Sequence, residues 1–178
     1  MAKTKCGILM NEGCEDLFPK KNHPSDTCFD VFAAEEVTLA YNEVELISLG
    51  FKVQLEPGWG IQLRPRSGNA LKIGITFANS VGTIDSEYIG NVGAIVKYTG
   101  TSEVSVCKHI FRDSVDNIED IDCDLICPEP ITIKRGDKIG QICFEQVHDV
   151  ELVKIDSIEK TNRGEKGFGS SGLAGTWF

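Results

Sequence analysis

An all-β domain of sandwich or jelly-roll type is the fold this sequence predicts, on three observations. Apolar residues recur with a period of two or in short runs, glycines and prolines punctuate them densely, and no long stretch keeps a 3.6-residue period. The first clear strand is Val44-Glu-Leu-Ile-Ser-Leu49, followed after one glycine by Phe51-Lys-Val-Gln-Leu55 and closed by Pro57-Gly58. Pro65 precedes a third alternating run, Leu71-Lys-Ile-Gly-Ile-Thr-Phe77. Gly82 and Gly90 then lead to Val92-Gly-Ala-Ile-Val-Lys-Tyr98, and Gly100, Pro128, Pro130 and Gly136 separate it from Ile139-Gly-Gln-Ile-Cys-Phe144. Such short connections suit antiparallel neighbours in a closed or two-layered sheet. Two places admit a helix: a short one after the turn at Val81, and Val115 to Leu125, where Ile118, Ile121 and Leu125 share a face.

With 178 residues, 41% of them hydrophobic, the chain can bury a sizeable core and is read as one domain. The apolar run at its N-terminus is too short for a signal peptide or a membrane span, so a soluble protein of the cytoplasm (a host cytoplasm, for a viral chain) is expected. Seven cysteines without a Cys-x-x-Cys imply neither a disulfide framework nor a zinc site; the nearest approach to a metal cluster is Cys123 and Cys127 with His109 upstream. A formal charge of −9 speaks against non-specific attraction to nucleic acid, which needs a basic face. A polyanionic small ligand would need a local basic pocket, for which Arg64, Arg66, Lys138, Arg163 and Lys166 are candidates.

The acid is concentrated. Asp113, Asp116, Glu119, Asp120, Asp122, Asp124 and Glu129 occur with no Lys or Arg among them. Asp120-x-Asp122-x-Asp124 opens like a calcium loop, but the loop's glycine position is Leu125 and its bidentate glutamate position is Ile131, which excludes an EF-hand. The segment at about 101–130 reads instead as an acidic insertion, either a solvated loop or a docking surface for another protein.

Five segments carry nucleotide chemistry in a fixed order: Ser25-Asp-Thr-Cys-Phe-Asp30-Val-Phe-Ala33-Ala34, Arg64-Pro-Arg66-Ser67-Gly68-Asn-Ala70, Gly82-Thr-Ile-Asp85-Ser-Glu-Tyr88-Ile-Gly90, Gly136-Asp-Lys-Ile-Gly-Gln141, and Arg163-Gly-Glu-Lys-Gly-Phe168-Gly-Ser170-Ser171-Gly172. The last joins a cation, a lone ring and paired hydroxyls on a glycine-rich backbone, a composition that can close over a phosphorylated ligand. In this order the segments resemble the trimeric all-β dUTP pyrophosphatase (dUTPase) family from about residue 24 to Gly172.

The resemblance implies a jelly-roll subunit of a homotrimer with shared active sites, a β domain over residues 1–160 and an arm over 161–178. It implies hydrolysis of dUTP to dUMP and diphosphate by water attack on the α-phosphorus, which limits uracil incorporation into DNA and supplies dUMP for dTMP synthesis. Asp85 matches the residue that holds and deprotonates the water, and Tyr88 the ring that packs under the deoxyribose. Asn79, Thr83, Ile84 and Gly93 match a hairpin that reads uracil through backbone groups. Arg66, Ser67, Gly68 and Gln141, with Arg163, Phe168, Gly169, Ser170 and Ser171 of the arm, match the groups that hold the phosphates and cover the base. Asp30 matches an aspartate that holds Mg²⁺ through water, the ion sitting on the three phosphates. Neither a membrane nor direct nucleic-acid binding is implied.

The chain departs from the family pattern at Cys28 (usually glycine), Asn69 (usually leucine), and Lys138 and Gly140, where the fourth motif usually reads Gly-Asp-Arg-Ile-Ala-Gln. Lysine keeps the charge of that arginine but loses its planar fork, so an ion pair there is open to question. Two alternatives remain. A dCTP deaminase would need a catalytic glutamate where this chain has Ile95. A regulatory module on the same fold would act through the acidic insertion.

Overall fold

The computed structural model describes residues 5–79, 81–100, 128–162 and 164–165. By internal contacts the chain divides into two units, Met1–His148 and Asp149–Phe178. The first unit contains every regular element among the described residues: strands β1 (Gly7–Met10), β2 (Phe29–Phe32), β3 (Val37–Leu39), β4 (Val44–Ser48), β5 (Phe51–Gln54), β6 (Trp59–Pro65), β7 (Ile75–Phe77), β8 (Gly82–Ile84), β9 (Gly93–Tyr98), β10 (Ile131–Ile133) and β11 (Lys138–Gln146), one helix, α1 (Ser67–Lys72), and a 3₁₀ turn at Glu15–Leu17. In the second unit the described residues form no strand or helix, and Val150, Leu152, Val153, Ile155 and Ile158 are exposed.

All strand pairs among the described residues are antiparallel, as the short connections predict. A four-stranded sheet runs β2-β11-β6-β8 and a three-stranded one β4-β9-β7, with two-stranded ribbons β1-β5 and β10-β3. Alternation sends Ala94, Val96 and Tyr98 of β9 inward and leaves Ile95 and Lys97 outward. Inward residues of both larger sheets, among them Val31, Ile61, Ile142, Ile47, Val96 and Phe77, join one jelly-roll-like core. Leu39 and Ile133 from β3 and β10 and Phe51 from β5 complete it.

The alternating run 71–77 does not form one strand. Its first half ends α1, with Ala70 N–H donating to Arg66 O and Ile73 N–H to Asn69 O, and only Ile75–Phe77 pairs with β9. Gly74, at φ +67°, takes the left-handed conformation that separates the two halves. Leu71 is 77% exposed, so the period of two it shares with Ile75 and Phe77 reflects no common face. The short helix expected after Val81 is absent there, since Gly82–Ile84 is strand β8. The helix expected over Val115–Leu125, the bulk of the acidic insertion and the His109/Cys123/Cys127 group lie outside the described residues.

A second correction concerns the cysteines. Asp30 faces Gln141 and Phe29 faces Ile142 across β2 and β11, and one step further Cys28 and Cys143 are joined by a disulfide, with their Cα atoms 4.6 Å apart. These residues are 115 positions apart, and only strand register brings them together. Spacing rules for local cysteine motifs carry no sign of such a pair.

Candidate active site

Asp85 follows β8 directly, in a turn closed by Tyr88 N–H to Asp85 O at 3.1 Å. Two cavities meet at it. One, of about 260 Å³, is lined by Asn79, Thr83, Ile84, Asp85, Tyr88 and Gly93, which are all the expected base, sugar and water-activating residues. The other, of about 210 Å³, shares Thr83 and Asp85 with the first and adds Gln62, Ser86 and Glu145. A larger apolar cavity of about 320 Å³ beside Phe18, Phe29, Trp59 and Phe144 contains none of the predicted residues and offers few polar groups, so the site is assigned to the smaller pair.

The topology alters how the base-reading element is built. β8 pairs with β6, whereas β9 lies between β4 and β7 in the other large sheet, so Thr83, Ile84 and Gly93 are not two arms of one hydrogen-bonded hairpin. β8 is an edge strand, and one side of its backbone has no partner strand among the described residues. Unpaired N–H and C=O groups on such an edge can pair with a base as they would with another strand. Ile95 also lines this cavity, and a hydrocarbon side chain cannot shuttle the protons of a deamination.

Tyr88 is positioned by two local features. Its hydroxyl donates to Asn91 O at 2.8 Å, and its ring folds back over Gly90 so closely that a Cβ there would stand 2.5 Å from the hydroxyl oxygen. The ring is 46% exposed, which leaves a face for a sugar.

Three of the phosphate-binding candidates, Arg66, Lys138 and Gln141, converge on Asp30, which is buried at 3% exposure. Arg66 Nε lies 3.3 Å from Oδ1, to which Gln141 Nε2 also donates at 3.2 Å. Lys138 Nζ is 2.9 Å from Oδ2, to which Asn22 Nδ2 donates at 2.8 Å. A β-bulge makes this convergence possible. Register shifts between Lys138 and Gly140, so Lys138 and Gln141, three residues apart on β11, both reach the same carboxylate. Burial pushes the Asp30 carboxyl up, but the hydrogen bonds from Lys138 and Gln141 and the charges of Arg66 and Lys138 outweigh it and hold its pKa below the ordinary carboxylate value.

Two cations against one carboxylate leave the cluster with one net positive charge, in a chain whose formal charge is −9. Arg66 reaches Asp30 through Nε, and its terminal amino groups have no protein partner among the described residues, which suits a phosphate. Ser67 and Gly68 open α1 next to it and are exposed. Arg64 does not join this cluster: its guanidinium donates to Gln62 Oε1, whose amide in turn donates to Glu145. Arg163, Phe168, Gly169, Ser170 and Ser171 lie outside the described residues, as does Lys166.

The expected metal role of Asp30 meets a geometric obstacle. A carboxylate offers about four lone-pair sites, and four protein donors occupy these two oxygens. A metal-bound water would have to displace one of them, and no group of three His, Cys, Asp or Glu among the described residues is arranged to hold a metal. Any Mg²⁺ would therefore take its inner ligands from the substrate phosphates, and Asp30 could reach its water only by exchanging one of these donors.

Sequence reasoning missed Asn22, which sits in a lysine-rich turn resembling any other polar turn. It noted Asn69 only as a departure. Asn69 Nδ2 donates to Lys138 O at 2.8 Å and so ties the second motif to the fourth.

Comparisons with known proteins give the family. The family model described as dUTPase matches residues 16–110 and 127–172, and the match breaks within the acidic segment. The deoxyuridine 5′-triphosphate nucleotidohydrolase of Fusobacterium nucleatum is 33% identical over 174 residues, covering 97% of this chain and 99% of its relative. That of Caldanaerobacter subterraneus subsp. tengcongensis is 35% identical over 138 residues, 78% of this chain and 75% of its own. Among solved structures, the Staphylococcus bacteriophage 80alpha dUTPase with dUPNHPP matches with a TM-score of 0.74 at 30% identity, covering 96% of this chain and all of that one. Five ordered motifs, an antiparallel jelly-roll-like fold and a family match over most of its length place this chain in the dUTPase family.

Proposed function

We propose that the chain hydrolyses dUTP to dUMP and diphosphate, with uracil against the free edge of β8 between Thr83, Ile84, Asn79 and Gly93, and the deoxyribose on Tyr88. Asp85 takes a proton from a water as its oxygen attacks the α-phosphorus. The Pα–O bond to the β-phosphate breaks, and diphosphate leaves with the electron pair. Arg66, Ser67, Gly68 and Gln141 hold the phosphates, and preorganised cationic donors lower the cost of charge that develops on them. Mg²⁺ enters on the triphosphate as part of the substrate. A mutant dUTPase of phage phi11 of S. aureus has been solved with a structural Mg(II) ion, at 24% identity to this chain and a TM-score of 0.66.

The chain works as a homotrimer with shared sites, over which Arg163, Phe168, Gly169, Ser170 and Ser171 of the C-terminal arm close. The observation that carries the reading is the position of Asp85, which faces a cavity lined by the expected base and sugar residues and a second, more polar one. Pyrophosphate release from dUTP, dCTP, dTTP and UTP, with Mg²⁺ and with EDTA, tests it. Turnover confined to dUTP with Mg²⁺ is expected; turnover of none, or equal turnover of UTP, refutes it.

A further inference from the structure

Lys138 stands where the family pattern has an arginine, and an ammonium lacks the planar fork that grips a carboxylate at two points. The structure supplies the missing point from elsewhere in the chain. Asn22 Nδ2 donates to Asp30 Oδ2 at 2.8 Å, and Asn22 Oδ1 accepts from Lys138 Nζ at 2.7 Å, while Lys138 Nζ lies 2.9 Å from the same Oδ2. The three contacts close a ring in which the ammonium is pinned between a carboxamide and a carboxylate. Two donors on one carboxylate oxygen, held relative to each other by a third hydrogen bond, give a rigid two-donor grip on Oδ2 in place of a fork.

We infer that Asn22 is a positioning residue that, together with Lys138, replaces a guanidinium fork on Asp30 and thereby holds Arg66 and Gln141 in place for the substrate phosphates. Local structure aims Asn22 for this task. Lys20 and Asp30 form an isolated antiparallel bridge, with Lys20 N–H to Asp30 O at 3.2 Å and Asp30 N–H to Lys20 O at 2.8 Å. A turn in which Asp26 N–H donates to His23 O and His23 N–H to the Asp26 carboxylate then reverses the chain. Asn22 is thus carried over the open side of a buried carboxylate. Asn69 holds the backbone of Lys138 from the other side through its bond to Lys138 O, so an asparagine braces each end of that lysine. On the far oxygen of Asp30, Arg66 and Gln141 are the groups whose placement the grip transmits.

This inference rests on the dUTP-hydrolysis reading, and the test separates the two. Steady-state kcat and KM for dUTP are measured for wild type, Asn22→Ala, Lys138→Arg and the double variant, with thermal melts of each. A wild type that turns over dUTP upholds the reading whatever the variants do; a wild type that does not refutes the reading itself. Given an active wild type, Asn22→Ala should lower kcat/KM about tenfold, the scale of one hydrogen bond to a charged group. The same substitution in the Lys138→Arg background should cost less than about twofold, because the guanidinium restores the second point of contact. Equal losses in both backgrounds, or an Asn22→Ala variant with a lowered melting temperature but unchanged kcat and KM, overturns the inference. If Asn22→Ala fails to fold, Asn22→Asp serves: it places a like charge beside Asp30, and kcat/KM should fall by more than tenfold, whereas an unchanged value overturns the proposal.

Discussion

Gly140 offers a quantitative test of how tightly this fold is packed at its fourth motif. The family pattern has alanine there, so Gly140→Ala would ordinarily be expected to stabilise the protein. Its backbone is no obstacle, since Gly140 is not among the glycines at positive φ. Restricting the unfolded chain would then contribute roughly 0.4–1 kcal/mol in favour of the variant. Space decides the opposite way. A Cβ at Gly140 would stand 2.7 Å from Phe77 Cζ and 3.3 Å from Arg64 O, and Phe77 is only 3% exposed. Neither neighbour yields easily: one is a stiff ring in the core and the other is backbone of β6, paired with β11 at that point. Overpacking of this kind costs about 1–3 kcal/mol, so the variant should be less stable by about 1–2 kcal/mol. Urea denaturation at a fixed protein concentration should show a midpoint lower by roughly 0.5–1 M, for a slope of about 2 kcal/mol/M. In a Phe77→Leu background, which removes the far end of the ring, the cost of Gly140→Ala should shrink by about 1 kcal/mol or more. A midpoint that rises, or a cost unchanged by Phe77→Leu, would refute this account.

Asp85→Asn should reduce kcat by about 10²-fold or more while leaving the dissociation constant for a non-hydrolysable dUTP analogue within about threefold; retained turnover would place the base elsewhere. The pKa of Asp30 is lowered in the folded state, so its contribution to stability is present above the unfolded carboxylate value of about 4 and is lost as pH falls through the folded value. Asp30→Asn should therefore flatten the acid limb of urea midpoint against pH, and an unaltered limb would contradict the linkage. Mass spectrometry after alkylation should find Cys28 and Cys143 modified only once reductant is added, while Cys6, free and partly exposed, reacts without it; early modification of Cys28 would argue against the bond.

Much of this protein was legible along the chain because its signals are local. The short apolar runs Val44–Leu49, Phe51–Leu55, Val92–Tyr98 and Ile139–Phe144 map onto β4, β5, β9 and β11, and in β5 and β9 their period of two also gives the buried face, since that period follows from the geometry of a single strand. Thr83, Asp85 and Tyr88 lie within one short motif with Asn79 three residues before it, and the order of the motifs by itself points to the family. Where a local pattern admitted two backbones, as in Leu71–Phe77, hydrogen bonds back to Arg66 and Asn69 chose a helix followed by a short strand. Other features belong to the tertiary structure alone. The Cys28–Cys143 bond, the bulge that turns Lys138 and Gln141 onto one carboxylate, the Asn69 bond to Lys138 O and the Lys138 bond to Asn22 Oδ1 all join segments far apart in the chain. Register and packing create these contacts, and a change such as arginine to lysine in one segment can be offset by an asparagine in another. Periodicity and motif order record what each segment does by itself; they carry no record of which distant side chain will complete a buried carboxylate's shell of donors.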